Sequence, residues 1–140
     1  MPSTHKPVNE SSGRFRILIA DDSSGMRVYL RAILTSAGFD CTEVSDGGEA
    51  FDAIMAERFD ILITDLDMPG MDGFQLISAI SLLPPNQRPK IIVCSALLDE
   101  GLAERRQELR VASVLLAKPI QPEDVLKAAR KTAGAGAACR

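Results

Sequence analysis

The amino-acid sequence predicts an α/β protein with a single doubly wound, parallel sheet of five strands and with five helices. Two observations lead to this class. Five short apolar runs alternate with five segments of helical periodicity, which is the pattern of repeated strand–helix–strand units. The connections are short, and right-handed crossovers then place helices on both faces of a parallel sheet. With 140 residues, 46% of them hydrophobic, the chain can build one domain around its own core.

The predicted strands and helices follow one another in strict alternation. The third and fourth strands have the continuous apolar runs that are typical of central parallel strands buried on both faces. The second strand is weaker, because polar residues alternate with apolar ones. The predicted strands are 15–20, 39–45, 59–64, 90–96 and 112–117, and the predicted helices are 23–38, 48–58, 74–83, 100–110 and 121–133.

Local signals place the ends of several helices. Gly38 is expected to end the first helix, because glycine tolerates the left-handed conformation found after helix C-termini. The proline pair at 84–85 stops the third helix. Pro122 suits the first position of the last helix, and Glu123 and Asp124 follow in the turn where negative charge is favoured.

Both ends of the chain lack an apolar face. We therefore expect a domain over 14–132, preceded by a disordered leader over 1–13 and followed by a flexible tail over 133–140. The leader has no apolar segment of the kind found in signal peptides. No apolar run approaches the ~20 residues of a membrane span. The expectation is a soluble protein that does not contact membranes.

Charge and cysteine content narrow the function classes. The net charge of −3 gives no reason to expect direct DNA binding. The cysteines are Cys41, Cys94 and Cys139, an odd number without the CxxC spacing, and the first two lie in predicted strands. This pattern favours reduced thiols and a cytoplasmic location. The only histidine, His5, lies in the polar leader and is not expected to be catalytic.

Polar side chains follow four of the predicted strands at the point where each strand ends. Asp21 and Asp22 follow the first strand, Asp65 the third, Ser95 ends the fourth, and Lys118 follows the fifth. In open α/β sheets, ligands bind at the carboxyl ends of the strands. We therefore expect these side chains to meet at one edge of the sheet.

The chemistry of this set indicates phosphoryl transfer. Carboxylates that lie close together repel one another, and a hard divalent cation such as Mg²⁺ relieves that repulsion. A carboxylate beside Mg²⁺ can act as the nucleophile on phosphorus, which makes Asp65 a candidate acceptor. Lys118 can supply a cation and Ser95 a hydroxyl donor to the transferring group. The small neighbour Ala96 leaves room for access.

Four short motifs stand in order at matching strand ends. They are DD at 21–22, DLDMPGMDG from Asp65, SA at 95–96 and KP at 118–119. Each is a weak signal alone, but their order together is specific. With these motifs, the chain from Phe15 to Thr132 resembles a receiver domain of a two-component response regulator. The resemblance implies a flavodoxin-like sheet with strand order 2-1-3-4-5.

The resemblance also implies a role for each site residue. Asp65 would accept phosphate from a phosphohistidine of a sensor histidine kinase or a histidine phosphotransfer protein. Asp22 and Asp65 would bind Mg²⁺ directly, Asp21 partly through water, and the backbone carbonyl of Asp67 would complete the metal site. Lys118 would pair with the phosphoryl group.

Further expectations follow from the same resemblance. The peptide bond before Pro119 would be cis. Phosphorylation would change binding to an unknown output protein, and the chain would be a signalling module with at most slow autodephosphorylation, not an ordinary enzyme. It would act as a stand-alone regulator, as a phosphate shuttle in a relay, or as part of a longer chain.

Structural roles compete with these functional ones. Asp21 and Asp22 could cap the first helix, and Asp72 is best interpreted as a turn or cap residue. A lone Lys118 would usually be a solvated surface residue. The joint pattern overturns these interpretations for Asp22, Asp65, Lys118 and Ser95.

The predicted fourth helix contains an arginine cluster, Arg105, Arg106 and Arg110. Interleaved Glu104 and Glu108 favour an exposed helix with i, i+4 ion pairs. The alternative is a basic patch for a partner or for an acidic ligand such as a nucleotide.

Two positions depart from the family pattern. Leu115 stands where receiver domains usually have Tyr or Phe, so coupling of the site to the face beside the fifth strand is in question. Val111 stands where a glycine commonly closes the fourth helix. Because a β-branched residue avoids positive φ, the turn there should have another geometry.

Two other function classes remain as alternatives. ILITDLD also matches the hhhhDxD motif of haloacid-dehalogenase-like phosphatases, with Asp65 as nucleophile and Asp67 as acid/base. The order of the remaining motifs disagrees with that family, because the acidic pair precedes Asp65. The other class is an unphosphorylated binding module that uses the arginine cluster or the surface around Leu115.

Overall fold

A five-stranded parallel sheet forms the centre of the molecule, with strand order β2-β1-β3-β4-β5. The computed structural model describes residues 15–98, 102 and 106–136. The strands are β1 (Arg16–Ala20), β2 (Asp40–Val44), β3 (Ile61–Thr64), β4 (Lys90–Ser95) and β5 (Val114–Ala117). Each predicted strand is present, and the doubly wound fold class with order 2-1-3-4-5 is confirmed.

Four α-helices lie within the described residues. They are α1 (Ser24–Ser36), α2 (Gly47–Ala56), α3 (Gly73–Ser81) and α4 (Pro122–Gly136), and short 3₁₀ helices span Pro85–Gln87 and Gln107–Val111. The helices cover both faces of the sheet, because α1 packs with α4 and α2 packs with α3. The first predicted helix ends as expected, since Gly38 has φ +97° and the amide of Phe39 donates to the carbonyl of Leu34 at 3.1 Å.

Each face of the sheet has its own apolar core. Successive residues of a strand point to opposite faces, so Leu18 and Leu62 pack beneath α2 and α3. Ile17 and Ile63 pack on the other face, beneath α1 and α4. All of β3 is buried, which explains its uninterrupted apolar run. The consequence is a rigid support for whatever follows β3.

Side-chain caps begin three of the helices. The carboxylate of Asp72 accepts the amide of Gln75 while the Gln75 side chain accepts the amide of Asp72, a complete capping box at α3. The capping interpretation of Asp72 is therefore confirmed. Ser23, not an aspartate, caps α1, and Asp46 caps α2. Oδ1 of Asp21 accepts the amide of Ser23 at 2.9 Å, whereas the carboxylate of Asp22 is available for another role.

Two predicted helices differ from the structure. In the predicted fourth helix, Leu102 is α-helical as predicted, residues 100–101 and 103–105 lie outside the described residues, and Gln107–Val111 is a 3₁₀ helix. The α-helical prediction is wrong for that part, because its one buried apolar side chain, Leu109, is too little to favour a long helix over a short turn. The last helix runs to Gly136, so 134–136 extend it beyond its predicted end at 133.

The leader over 1–13 and Cys139 lie outside the described residues. Within the part of the chain that the structure describes, no helix has both the length and the apolar character needed to cross a bilayer.

Candidate functional site at the carboxyl edge of the sheet

Three carboxylates meet at the carboxyl edge of the sheet. Oxygen atoms of Asp21, Asp22 and Asp65 all lie within 4.8 Å of one another. Parallel pairing produces this arrangement, because β1 and β3 are neighbours and Ala20 stands opposite Thr64 in their register. The residues that follow these two positions must therefore emerge side by side. Asp21 and Asp65 are buried, whereas Asp22 is exposed to solvent.

Both carboxylate oxygens of Asp65 accept hydrogen bonds. Its Oδ1 accepts the backbone amide of Leu66 at 2.7 Å, and its Oδ2 accepts the ammonium of Lys118 at 3.1 Å. Its own amide donates to the carbonyl of Ala20 at 3.0 Å, which ties it to β1. The carboxylate is fixed in one orientation at the rim, where a ligand from solvent can reach the cluster beside Asp22.

Lys118 bridges the two buried carboxylates. Its Nζ donates to Asp21 Oδ2 at 2.9 Å as well as to Asp65, and its side chain is 20% exposed. Partial burial lowers the pKa of Lys118, but the hydrogen bonds and charges of Asp21 and Asp65 outweigh burial and raise its pKa overall. The ammonium therefore stays charged at neutral pH. Three carboxylates and one ammonium leave the cluster with a net charge of −2.

Ser95 lies beside the cluster but contacts none of its side chains through a hydrogen bond within the described residues. Its hydroxyl accepts the amide of Leu97 at 3.1 Å, and its carbonyl accepts the amide of Lys118 at 3.0 Å. Ser95 thus positions the lysine through the backbone. Ala96 is exposed, as the expectation of access requires. The Lys118–Pro119 bond is cis, as the resemblance implies.

The buried cysteines do not take part. Burial raises the pKa of Cys94, next to Ser95, to about 12, and raises that of Cys41 to about 11. Because the thiolate is the reactive form, both are inert thiols in a protein at neutral pH. The prediction of reduced, buried thiols is confirmed for these two.

Arg27 is a supporting residue that the sequence did not indicate. Its Nη1 donates to the backbone carbonyl of Asp21 at 2.7 Å, and its Nε forms an ion pair with Glu43 at 3.3 Å. The arginine therefore joins α1, the end of β1 and the edge strand β2 behind the acidic cluster. The sequence signal that could have identified it was its position one turn into α1, on the helix face directed toward the strand ends.

The loop after β3 packs directly against its neighbours. A Cβ added at Gly73 would overlap the carbonyl oxygen of Asp65 and lie 2.6 Å from Cα of Leu66. A Cβ at Gly47 would overlap the carbonyl oxygen of Met71. Gly70 has φ +68°, a conformation that favours glycine. Glycine in the DLDMPGMDG motif therefore lets the start of α3 touch the backbone of Asp65.

The segment before β5 does not form the predicted exposed helix. Arg106 forms an ion pair with Glu108 at 3.2 Å, and its guanidinium carbon lies 3.5 Å from the centre of the Phe74 ring. The predicted i, i+4 pairing is wrong here, because Arg106 has extended backbone angles and the chain then turns into a 3₁₀ helix. Leu115 is 39% exposed. Arg105 lies outside the described residues.

Val111 ends the 3₁₀ helix without positive φ. Within the described residues, positive φ occurs only at Gly38 and Gly70. The following residue, Ala112, is extended, with φ −72° and ψ 137°. The prediction of another turn geometry at Val111 is confirmed.

The fold and the site define a class of protein: a doubly wound α/β domain with an acidic cluster and a lysine at the carboxyl edge of its sheet. The sequence model of one family, described as the response regulator receiver domain, matches residues 17–130. The chain belongs to this family, whose members are signalling modules of two-component systems.

The similarity of this chain to known proteins extends over nearly the whole domain. The chain is 36% identical over 117 residues to the chemotaxis protein CheY of Thermotoga maritima, covering 83% of this chain and 95% of that protein. It is 32% identical over 116 residues to the response regulator receiver protein CpdR of Brucella abortus, covering 83% and 94%. The chemotaxis response regulator CheY4 of Vibrio cholerae has a similar structure, with TM-score 0.76, 29% identity, and coverage of 85% and 98%. The family assignment decides against the phosphatase interpretation of the ILITDLD run.

Proposed function

We propose that this protein is a Mg²⁺-dependent phosphoacceptor that takes a phosphoryl group on Asp65. The observation that supports this best is the arrangement of Asp65: a buried carboxylate held by Lys118 and grouped with two further carboxylates. An isolated capping or surface aspartate has no need of a lysine 53 positions away in the chain.

The residues present fit a magnesium ion. The cluster offers carboxylate oxygens within 4.8 Å of one another and a net charge of −2, which a divalent cation neutralises. Magnesium prefers such hard oxygen ligands and retains water, and the exposure of Asp22 leaves room for water. Asp22 and Asp65 would bind the ion directly, Asp21 partly through water, and the carbonyl of Asp67 would add a ligand. A related receiver domain, from a sensor histidine kinase of Pseudomonas aeruginosa, was solved with magnesium coordinated in the active-site cleft, at 25% identity and TM-score 0.75.

The transfer itself needs few groups from the protein. A carboxylate oxygen of Asp65 attacks the phosphorus of a phosphohistidine, the P–N bond breaks, and its electron pair returns to the imidazole nitrogen. Lys118 moves its hydrogen bond from the carboxylate to a phosphoryl oxygen, where charge accumulates. A magnesium ion held by Asp22 and Asp65 would neutralise the remaining phosphoryl charge.

Partners of two kinds follow from this role. The donor is a sensor histidine kinase or a histidine phosphotransfer protein, and one relative is named sporulation initiation phosphotransferase F of Bacillus subtilis, at 28% identity over 116 residues. The recipient of the signal is an output protein whose binding changes when Ser95 releases the amide of Leu97 and turns to the phosphoryl group. Hydrolysis of the aspartyl phosphate would be slow at most, as in the receiver domains that the chain resembles.

The test is Mg²⁺-dependent uptake of beryllofluoride, a phosphoryl mimic, followed by two-dimensional amide NMR. We expect shifts at Asp22, Asp65, Ser95 and Lys118 that require Mg²⁺ and extend to Leu115. Shifts confined to the cluster would indicate a phosphate carrier without a switching surface. Absence of uptake would contradict the phosphoacceptor and leave the unphosphorylated binding module.

Replacing Lys118 by alanine should lower the stability of the metal-free protein and raise its affinity for Mg²⁺. Two buried carboxylates lose their cation, so unfolding free energy without metal should fall by about 3 kcal/mol. Mg²⁺ no longer competes with the ammonium, so its affinity should rise roughly tenfold. Beryllofluoride shifts should then fail to extend beyond the cluster. Urea titrations with and without Mg²⁺ measure the first two effects.

The matched control is Lys127→Ala, since Lys127 is an exposed lysine of α4. It should leave stability and Mg²⁺ affinity unchanged. Equal Mg²⁺ affinity in Lys118→Ala and the wild type would show that the ammonium does not contact the carboxylates as described.

A further inference from the structure

We propose that a small phosphate-bearing molecule binds in a cavity at the amino edge of the sheet, on the opposite side of the molecule from the acidic cluster. The cavity has a volume of about 210 Å³. Its lining includes the ends of three elements: the turn after α2, the 3₁₀ turn before β4, and α4. The residues used in the argument are Arg58, Phe59, Asp60, Arg88, Lys90 and Thr132.

The charge in this cavity favours an anion. Arg58, Arg88 and Lys90 line it, and none of them forms an ion pair with a carboxylate of the described residues. The one carboxylate in the lining is Asp60, whose Oδ2 already accepts the backbone amide of Arg16 at 2.8 Å. The lining therefore has an excess of two positive charges, in a chain whose net charge is −3.

A backbone carbonyl, and not a carboxylate, orients the side chain of Arg88. Its Nε donates to the carbonyl of Leu83 at 2.7 Å, which fixes the plane of the guanidinium. The two terminal nitrogens have no partner among the described residues, and a guanidinium held in this way suits two parallel hydrogen bonds to a phosphate. Lys90, at the start of β4, adds a second cation to the same cavity.

An independent observation comes from Thr132, in the wall of the cavity. Its hydroxyl oxygen is buried and has no hydrogen-bond partner among the described residues. Buried polar groups in folded proteins nearly always have a hydrogen-bond partner, and this hydroxyl lacks one. The oxygen is closed off from solvent, so a bound phosphate would supply the missing hydrogen bond only after the wall of the cavity opens to admit it.

The size of the cavity limits the ligand. The cavity volume is about 210 Å³. That is below the ~300–1,000 Å³ of most pockets for drug-sized ligands. The cavity therefore fits a phosphate group with a small organic remainder, and it does not enclose a polymer.

The experiment is an amide NMR titration of the whole chain in EDTA at constant ionic strength. The probes are inorganic phosphate, glycerol 3-phosphate and glycerol. We expect saturable shifts at Asp60, Gln87, Lys90 and Thr132 with both phosphates and none with glycerol. Tighter binding of glycerol 3-phosphate would identify a phosphate ester as the ligand, and equal binding would identify phosphate itself. Absence of saturable shifts at millimolar phosphate would overturn the site.

Matched double variants test the assigned residues. Arg88→Gln with Lys90→Gln should raise the dissociation constant at least about tenfold, because two charged hydrogen bonds are lost. Lys127→Gln with Arg130→Gln removes the same charge from exposed positions of α4 and should not change it. Thr132→Val should weaken binding a few-fold. If both double variants lost the same affinity for phosphate, the effect would be one of net charge and the site would be rejected. An unchanged response to Mg²⁺ at the acidic cluster would verify that each variant is folded.

Discussion

Asp65→Asn should reduce phosphate uptake from a small acyl phosphate donor, such as acetyl phosphate, to background. The amide keeps the shape of the side chain and can still accept a hydrogen bond from Leu66, but it is not a nucleophile toward phosphorus. It also removes one negative charge from the metal cluster. Intact-mass measurement after incubation with donor and Mg²⁺ reports the uptake directly.

The matched control for this variant is Asp67→Asn. Asp67 is exposed, lies two residues further along the same loop, and is not in the carboxylate cluster, so only its backbone carbonyl is assigned to the metal. Uptake by Asp67→Asn should remain close to that of the wild type. Wild-type uptake by Asp65→Asn, or loss in both variants, would contradict the assignment of the acceptor.

Gly73→Ala should destabilise the protein by about 3 kcal/mol or more, since the added methyl meets backbone and cannot be accommodated by a side-chain movement. The overlapping atoms are the carbonyl oxygen of Asp65 and, at 2.6 Å, Cα of Leu66. Relief of the overlap would displace either the start of α3 or the acceptor backbone, so Mg²⁺ affinity should fall as well. Urea unfolding and a Mg²⁺ titration measure the two effects.

Gly25→Ala provides the comparison. Gly25 is an exposed residue of α1, and an added Cβ there has no neighbour nearer than the Ser23 hydroxyl at 3.9 Å. Alanine should stabilise that helix by about 0.5–1 kcal/mol. If Gly73→Ala unfolded at the same urea concentration as Gly25→Ala, the close contact between α3 and the Asp65 backbone would be wrong.

The sequence predicted the sheet and the location of the acidic cluster for one physical reason. A buried parallel strand has a continuous apolar run, and the residue after it must lie at the rim. Asp21, Asp65 and Lys118 could therefore be placed at one edge without knowing any angle. Glycine and proline signals placed helix ends equally well, as Gly38 and Pro122 show.

Details that depend on three-dimensional packing were beyond the sequence. Whether Ser95 contacts the cluster or the amide of Leu97 depends on one side-chain rotation. The support from Arg27 depends on the distance between α1 and β2. Ala133 packs against the core beneath α4, and this contact extends a helix through residues that by composition indicated a tail. Tertiary packing outweighed local propensity there.

The lysine that completes the acidic cluster has a consequence for biosynthesis. Lys118 joins Asp21 across 97 positions and Asp65 across 53, so the cluster has no cation until nearly the whole domain has left the ribosome. A nascent chain that has exposed β1 and β3 but not β5 holds its carboxylates without the ammonium that fixes their orientation. The orientation of the two buried carboxylates is therefore fixed only when synthesis of the domain is nearly complete.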